Sequence, residues 1–342
     1  MHMSDGLITP VVGGIMLATS AGLIGHTARR IDYESLEQKV PYMGMVGAFV
    51  FASQMINFAI PGTGSSGHIG GGLLLAVLLG PHAGFLAMAS ILLVQAMFFA
   101  DGGLLAYGCN LFNLGFFTCY LAYPYIYKPI SESTIFSPRL RQITAIMLST
   151  IIGLQLGALS VVIQTTLSGL TDLPFGVFAS FMQPIHLAIG LVEGAVTVAV
   201  VLYLQENRKE LIYSGTNRYG SIFSYQKGVR IFAVITLVVG VLLSQFASAS
   251  PDGLEWSIEN VSASALEESG TDSSALEDIQ NKIAILPDYG FEKEHFSGYT
   301  GIIGTSLSGL TGSLITLLFV VAIGLTIRKT TEKKRIYGKA RK

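Results

Sequence analysis

The sequence predicts an all-α, polytopic membrane helical bundle of about nine transmembrane helices, seven followed by two. Two observations carry this prediction. Apolar residues make up 51% of the 342-residue chain and charged residues only 13%, with a mean hydropathy of +0.57. That is the composition of a chain whose solvent is largely lipid. Nine spans also gather the basic residues on one side. Of the 21 Lys and Arg residues, all but Lys282 and Lys293 then lie with the tail "RKTTEKKRIYGKARK" (328–342). By the positive-inside rule that side is the cytoplasm, which puts the C-terminus inside and the N-terminus outside. The net charge of −1 says nothing about partners, and no nucleic-acid partner is expected.

A helix needs about 20 apolar residues to cross a bilayer. The expected spans are 8–26, 40–58, 68–80, 84–100, 103–127, 140–166, 180–204, 229–248 and 305–327. The third and fourth are divided at "GPHAG" (80–84), because Gly-Pro ends helices. Merging them would move Arg29 and Arg30 outside. The opening "MHMSDGLITP" has no basic n-region and no cleavage site, so it is not a secretory signal. Three parts follow: a seven-helix unit over 1–205, a charged cytoplasmic linker over 206–228, and a two-span unit over 229–342. The outer leg of the last, about 249–304, is polar and acidic. Within it "SASALEESGTDSSALED" (262–278) reads as a mobile linker or a short helix. Cys109 and Cys119 form no disulfide framework and read as buried thiols of one helix.

Polar groups at bilayer depth suggest function. Asn57, Gln95, Asn110, Asn113, His186 and Glu193 fall inside spans, and Asp101 sits in the outer turn "FADGGLL" (99–105). Alone, each Asn or Gln is a hydrogen-bonding link between helices. Gathered under one face they suggest a site. On that face lie His68, in the glycine-rich loop "PGTGSSGHIGGG" (61–72), and Met1-His2. A free Met1 amine, the His2 amide nitrogen and His2 Nδ1 are within one residue's reach and could close five- and six-membered chelate rings. His68 supplies a fourth nitrogen. Four nitrogens including an amidate favour square-planar Ni(II) or Cu(II), and Co(II) less comfortably. Zinc prefers a tetrahedron, and magnesium or calcium prefers oxygens. A bulky second residue such as His also favours retention of Met1. His26 and His82 fall on the inner face, away from such a site.

These stretches, together with "INFAIPGTGSSGHIGGGLLLAVLLGP" (56–81), "LLVQAMFFADGGLLAYGCNLFNLG" (92–115) and "HLAIGLVEGAVT" (186–197), resemble the CbiM/NikM family. Its members are the substrate-binding S components of cobalt and nickel energy-coupling-factor (ECF) transporters. The resemblance covers about 1–205. "PDGLEWS" (251–257), flanked by two spans, resembles the small partner subunit CbiN/NikN, here fused. The resemblance implies that Ni(II) or Co(II) is the transported substrate, with no organic cofactor. It implies ligands from the Met1 amine, the His2 amide and imidazole, and His68. Asn57, Gln95, Asp101, Asn110, Asn113 and His186 are the candidates for a surrounding shell. It also implies a multi-pass protein of a bacterial or archaeal cell membrane. The partners would be a CbiQ/NikQ-like T component and CbiO/NikO-like ABC-type ATPases. The chain itself has no GxxxxGK[ST] phosphate loop and is not expected to be an enzyme. One departure, "HMSDG" where many relatives have a proline before Asp-Gly, changes no implied ligand.

A rival reading is a rhomboid-like intramembrane serine protease, with Ser66 of "GSSG" (64–67) as nucleophile and His186 as base; the two must then come within hydrogen-bond reach. No HExxH motif supports a zincin. A channel would need ligands along a pore, whereas here they concentrate at one end. The two-span unit, which carries His295, is expected to hold the outer mouth open and to contribute no ligand.

Overall fold

The computed structural model describes residues 1–31, 33–170, 173–213, 222–262, 275–290 and 299–340. The acidic stretch 263–274 and His295 lie outside the described residues. The chain opens with a tight turn at Asp5–Leu7 and then forms α1 (Pro10–Arg30) and α2 (Tyr33–Gln54). Helix α1 starts where the Thr9 hydroxyl accepts from the Val12 amide and Pro10 occupies the first turn, a position where a missing N–H costs nothing.

Strands β1 (Phe58–Ile60) and β2 (Ser65–Gly67) pair antiparallel, with Ala59 opposite Ser66. Part of the glycine-rich loop therefore closes a short hairpin, a small exception among the described residues of a helical fold. Its turn uses Gly62 and Gly64 at φ near +79° and +78°, backbone that glycine adopts without steric cost.

Next come α3 (Gly72–Leu79), α4 (Pro81–Phe99) and α5. The last begins at Tyr107–Leu111, widens to a π-helical run over Phe112–Tyr127 and closes as Lys128–Glu132. Then follow α6 (Pro138–Ser168), α7 (Phe175–Asn207) and α8 (Ile222–Leu237, prolonged through Val238–Leu242 and Leu243–Phe246). The outer leg holds α9 (Gly253–Val261) and α10 (Ala275–Ile283), and α11 (Tyr299–Ala340) ends the described chain.

Among the described residues six helices are long and apolar enough to cross a membrane: Pro10–Arg30, Pro81–Phe99, Pro138–Ser168, Phe175–Asn207, Gln226–Phe246 and Gly304–Lys329. The other three expected spans are built differently. The stretch 40–58 lies mostly in α2, which opens with charged residues. The stretch 103–127 lies largely in the widened α5. The stretch 68–80 is helical only over α3, whose eight residues rise about 12 Å. The chain covers the remaining depth in non-helical backbone. That is tolerated in a membrane only where protein buries it, and all eight residues of α3 are buried.

One end of the bundle carries the N-terminal segment, the hairpin, the turn after α4 and helices α9 and α10. The opposite end carries the group in which His82 Nδ1 lies 2.9 Å from the Tyr120 hydroxyl and Tyr120 reaches Thr27 at 2.5 Å. There too the Tyr213 amide donates to the Val77 carbonyl and the Tyr42 hydroxyl to Leu211. Helices α8 and α11 pack on α2. Phe232 of α8 is buried against the rings of Tyr42 and Phe49. A Cβ at Gly44 of α2 would meet Val321 of α11 at 2.8 Å, so a glycine there permits the close approach on which helix association in lipid depends.

Candidate functional site

The N-terminal segment folds back into the bundle. Met1 and Met3 are buried, which is unusual for a chain terminus and requires specific anchors. Asn110 supplies two of them. Its Oδ1 accepts from the Met3 amide at 2.8 Å, and its Nδ2 donates to the Met3 carbonyl at 3.1 Å. The Gly103 amide donates to the same carbonyl, and Asp5 Oδ1 accepts from the Ala106 amide at 2.9 Å. Asn113 donates toward the Met3 thioether and exchanges hydrogen bonds of 2.9 and 3.0 Å with Gln164. Every peptide group of this segment that is tied down fixes where Met1 and His2 sit.

The imidazoles of His2 and His68 stack, with ring centres 5.0 Å apart and planes 10° from parallel. The Met1 amine lies 3.7 Å from Asp252 Oδ2, and His2 Nδ1 lies 3.4 Å from Asp101 Oδ1. A cavity of about 10 Å³ is lined by Met1, His68, Gly70, His186, Asp252 and Gly253, among others. A cavity this size accepts about one water-sized sphere. His186 donates from Nδ1 to the Met182 carbonyl at 2.8 Å, which leaves Nε2 with its lone pair. Among the described residues no three His, Cys, Asp or Glu side chains form a ready-made metal cluster. A metal at this spot would draw on backbone nitrogens.

Burial, and then the Met1 ammonium, lower the His2 ring to about 3. The desolvation penalty falls on the charged form, so the ring is neutral in the folded chain. Burial raises the Asp101 carboxyl, and the Tyr289 hydroxyl, which donates to Asp101 Oδ2 at 2.5 Å, works against that rise. Burial also works against ionised Asp252, but the Met1 ammonium and the Glu255 amide outweigh it and hold the group at about 2. Asp252 caps α9, accepting from the Leu254 and Glu255 amides at 2.8 Å each, while Glu255 accepts from the Asp252 amide. This reciprocal capping box leaves Asp252 Oδ2 to face Met1.

Of the residues singled out from sequence, Met1, His2, His68, Asp101 and His186 come together, and Asn110 and Asn113 support the N-terminal segment. Gln95 donates to Gln54 Oε1 at 2.9 Å behind His2. Asn57 differs: its carbonyl accepts from the Ser248 amide, tying the hairpin to the two-span unit. The protease arrangement is not formed. Ser66 Oγ donates to the Ser250 and Pro251 carbonyls and His186 Nδ1 to Met182, so nucleophile and base have other partners.

Several contacts were not anticipated. Glu193 accepts from the Gly70 and Gly71 amides at 2.7 and 3.0 Å, fixing the loop just past His68. Gln54 donates to the Gly70 carbonyl at 2.8 Å. Asp252 and Tyr289 bring the two-span unit to the site, where they contact Met1 and Asp101 without being among the expected ligands. Trp256 Nε1 donates to the Thr63 carbonyl, and the Ser66 amide to Pro251, strapping α9 to the hairpin. The D-x-x-E spacing at 252–255 was a legible helix start; its contact with residue 1 was not.

Residues 2–211 match the CbiM family, described as the cobalt uptake substrate-specific transmembrane region, and 226–329 match the PDGLE domain. A relative in Archaeoglobus fulgidus, given the fused name NikMN, is 30% identical over 329 residues, 96% of this chain and 98% of its own. The fused nickel transport protein NikMN of Rhodobacter capsulatus is 31% identical, covering 78% of each chain. The cobalt transport protein CbiM of Sorangium cellulosum is 30% identical over 62% of this chain and 94% of its own. A crystal structure of a transition metal transporter superposes with a TM-score of 0.52 at 30% identity, over 61% of this chain and 95% of that one. The chain therefore belongs to the CbiM family of substrate-specific transmembrane proteins, fused to a PDGLE domain, and is a multi-pass transport protein and not an enzyme.

Proposed function

We propose that this chain captures Ni(II) or Co(II) at the outer face of a bacterial or archaeal cell membrane and delivers it for uptake as the S component of an ECF-type transporter. The N-terminus then lies outside and the tail 328–342 in the cytoplasm. The ligands are the Met1 amine, the His2 amide and Nδ1, and His68. One observation carries the reading: a buried N-terminus that brings Met1 and the His68 ring, against which the His2 ring stacks, to a cavity with room for about one small sphere.

An imidazole binds a metal through a nitrogen lone pair in its own ring plane. Two rings stacked face to face therefore cannot share an ion until one of them turns. Loading includes that rotation, and the amine exchanges its Asp252 partner for the metal. Asp252, held ionised, keeps negative charge beside the incoming dication. Names of relatives point to both nickel and cobalt, and the nitrogen-rich donor set suits either.

ATP hydrolysis belongs to partner subunits, a T component and ABC-type ATPases. The test is uptake of radioactive nickel and cobalt into vesicles, with this chain reconstituted alone or with those partners. ATP-dependent accumulation is expected only in the complete complex, with no ATP hydrolysis by this chain alone. Hydrolysis by the pure chain, or equal uptake without partners, would contradict the proposal.

A further inference from the structure

Neutral imidazole carries one proton, and the hydrogen bond made by one ring nitrogen decides which atom keeps the other lone pair. For His2 to close a chelate ring with its own amide nitrogen, Nδ1 must hold the lone pair and Nε2 the proton. The neighbour at Nδ1 is a carboxylate, Asp101 Oδ1 at 3.4 Å. A carboxylate only accepts, so it draws the proton toward Nδ1 and toward the tautomer that cannot chelate.

On the other side of the ring a chain of two amides opposes that pull. The Gly70 carbonyl can only accept, so Gln54 must present Nε2 to it, at 2.8 Å. That turns Gln54 Oε1 toward Gln95, which must answer with its own Nε2, at 2.9 Å. Gln95 is left with Oε1, an acceptor. Gln95 lies beside the His2 site: its backbone carbonyl accepts from the amide of Asp101, whose Oδ1 stands 3.4 Å from the His2 ring. His2 Nε2 and Gln95 Oε1 are also both buried, and neither makes a hydrogen bond in this structure. Buried polar atoms are rarely left so, and a donor on one answers an acceptor on the other.

We infer that Gln95, oriented by Gln54 on the Gly70 carbonyl, is a positioning residue that holds His2 in the Nε2–H tautomer and so keeps Nδ1 open for the transported metal. The inference rests on the ligand set proposed above. It also couples the two halves of the site, because Gly70 lies two residues beyond His68. Loss of an outer partner of a metal-bound histidine typically costs 10- to 100-fold in affinity.

The experiment uses the full chain in detergent, labelled with ¹⁵N-histidine. The His2 resonances are assigned by their loss in a His2→Ala variant, and nickel affinity is read by chelator competition. In metal-free wild type the ¹⁵N shifts of His2 are expected to report a protonated Nε2. Gln95→Leu is expected to move that population toward a protonated Nδ1 and weaken nickel binding about 10- to 100-fold, while the visible spectrum of the saturated protein stays unchanged. Gln95→Glu keeps the acceptor toward His2 and is expected to hold the wild-type tautomer, although its second oxygen faces Gln54 Oε1 and loosens the link to Gly70, so this variant is read by its tautomer and not by its affinity. A protonated Nδ1 in metal-free wild type overturns the inference, even if the variants fail to fold. So does a Gln95→Leu protein with wild-type affinity and tautomer. Acetylation of the Met1 amine separates the two readings. Undiminished nickel binding there removes the ligand set and this inference together. Lost binding there, with Gln95→Leu unchanged, removes only the inference.

Discussion

At the scale of the residue, the proposed site prepares nitrogens for a metal before the metal arrives. Burial lowers His2 to about 3, below its ordinary value near 6.5, so at neutral pH no proton has to leave that ring. The His2 amide does have to lose its proton, and any proton on the Met1 amine leaves with it. Metal binding at about pH 7.5 is therefore expected to release about one to two protons per ion, counted by calorimetry in buffers of different ionisation enthalpy. The sign follows from the donors: each proton displaced makes affinity rise with pH, and His2 adds no step of its own until the pH approaches its lowered value. A count of three or more would mean that the imidazoles enter charged. Met1 and His2 were singled out in sequence as candidates because a chelating N-terminus would depend on local covalent spacing. Gln54 was not, because an amide at the end of α2 takes its meaning from Gly70 and Gln95, which only the folded chain brings near.

At the scale of the element, the loop carrying His68 is held by its backbone more than by its side chains. Glu193 on α7 accepts two amides of that loop, Gln54 on α2 takes one carbonyl, and α9 straps the hairpin through Trp256 and Pro251. Glu193→Ala would leave the Gly70 and Gly71 amides buried without partners. At about 1–3 kcal/mol for each orphaned group, a marked fall in thermal stability in detergent is expected, together with weaker metal binding. An unchanged melting temperature would show that water replaces the carboxylate. Pattern and spacing identified Glu193 as a polar group at bilayer depth, but its partners are backbone amides more than 120 positions away. The same limit applies to α3. Its Gly-Pro boundary was legible, whereas the short helix preceded by buried irregular backbone follows from packing against α5. A Cβ at Gly72 would stand 2.6 Å from the Leu114 carbonyl.

At the scale of the whole molecule, the PDGLE part is a second wall of the site. Asp252 faces the Met1 amine, and Tyr289 donates to the carboxylate beside His2. Gln280 anchors α10 by donating to the Ala96 and Gly102 carbonyls at 2.9 and 2.7 Å. Deleting 251–304 while keeping α8 and α11 is therefore expected to abolish transport and also to weaken equilibrium metal binding, since both walls lose their contacts. Neutralising exposed acids on the same leg, Glu259→Gln with Asp278→Asn, is expected to change uptake little, because salt screens such charges beyond about 8 Å. Equal loss from neutralisation, reproduced by added salt, would favour electrostatic steering over a structural role. A two-part organisation was expected from charge and hydropathy. The reach of the second part into the first was not, because it runs through single contacts between residues more than 180 positions apart.

The central claim is that the chain's own first two residues hold the metal. The most direct measurement is nickel and cobalt affinity of the native chain against one extended by a single residue ahead of Met1, each checked for an unchanged melting temperature. The amine then becomes an amide and one chelate ring can no longer close. The account expects tight binding in the native chain and its loss in the extended one. Equal affinity in the two would contradict it.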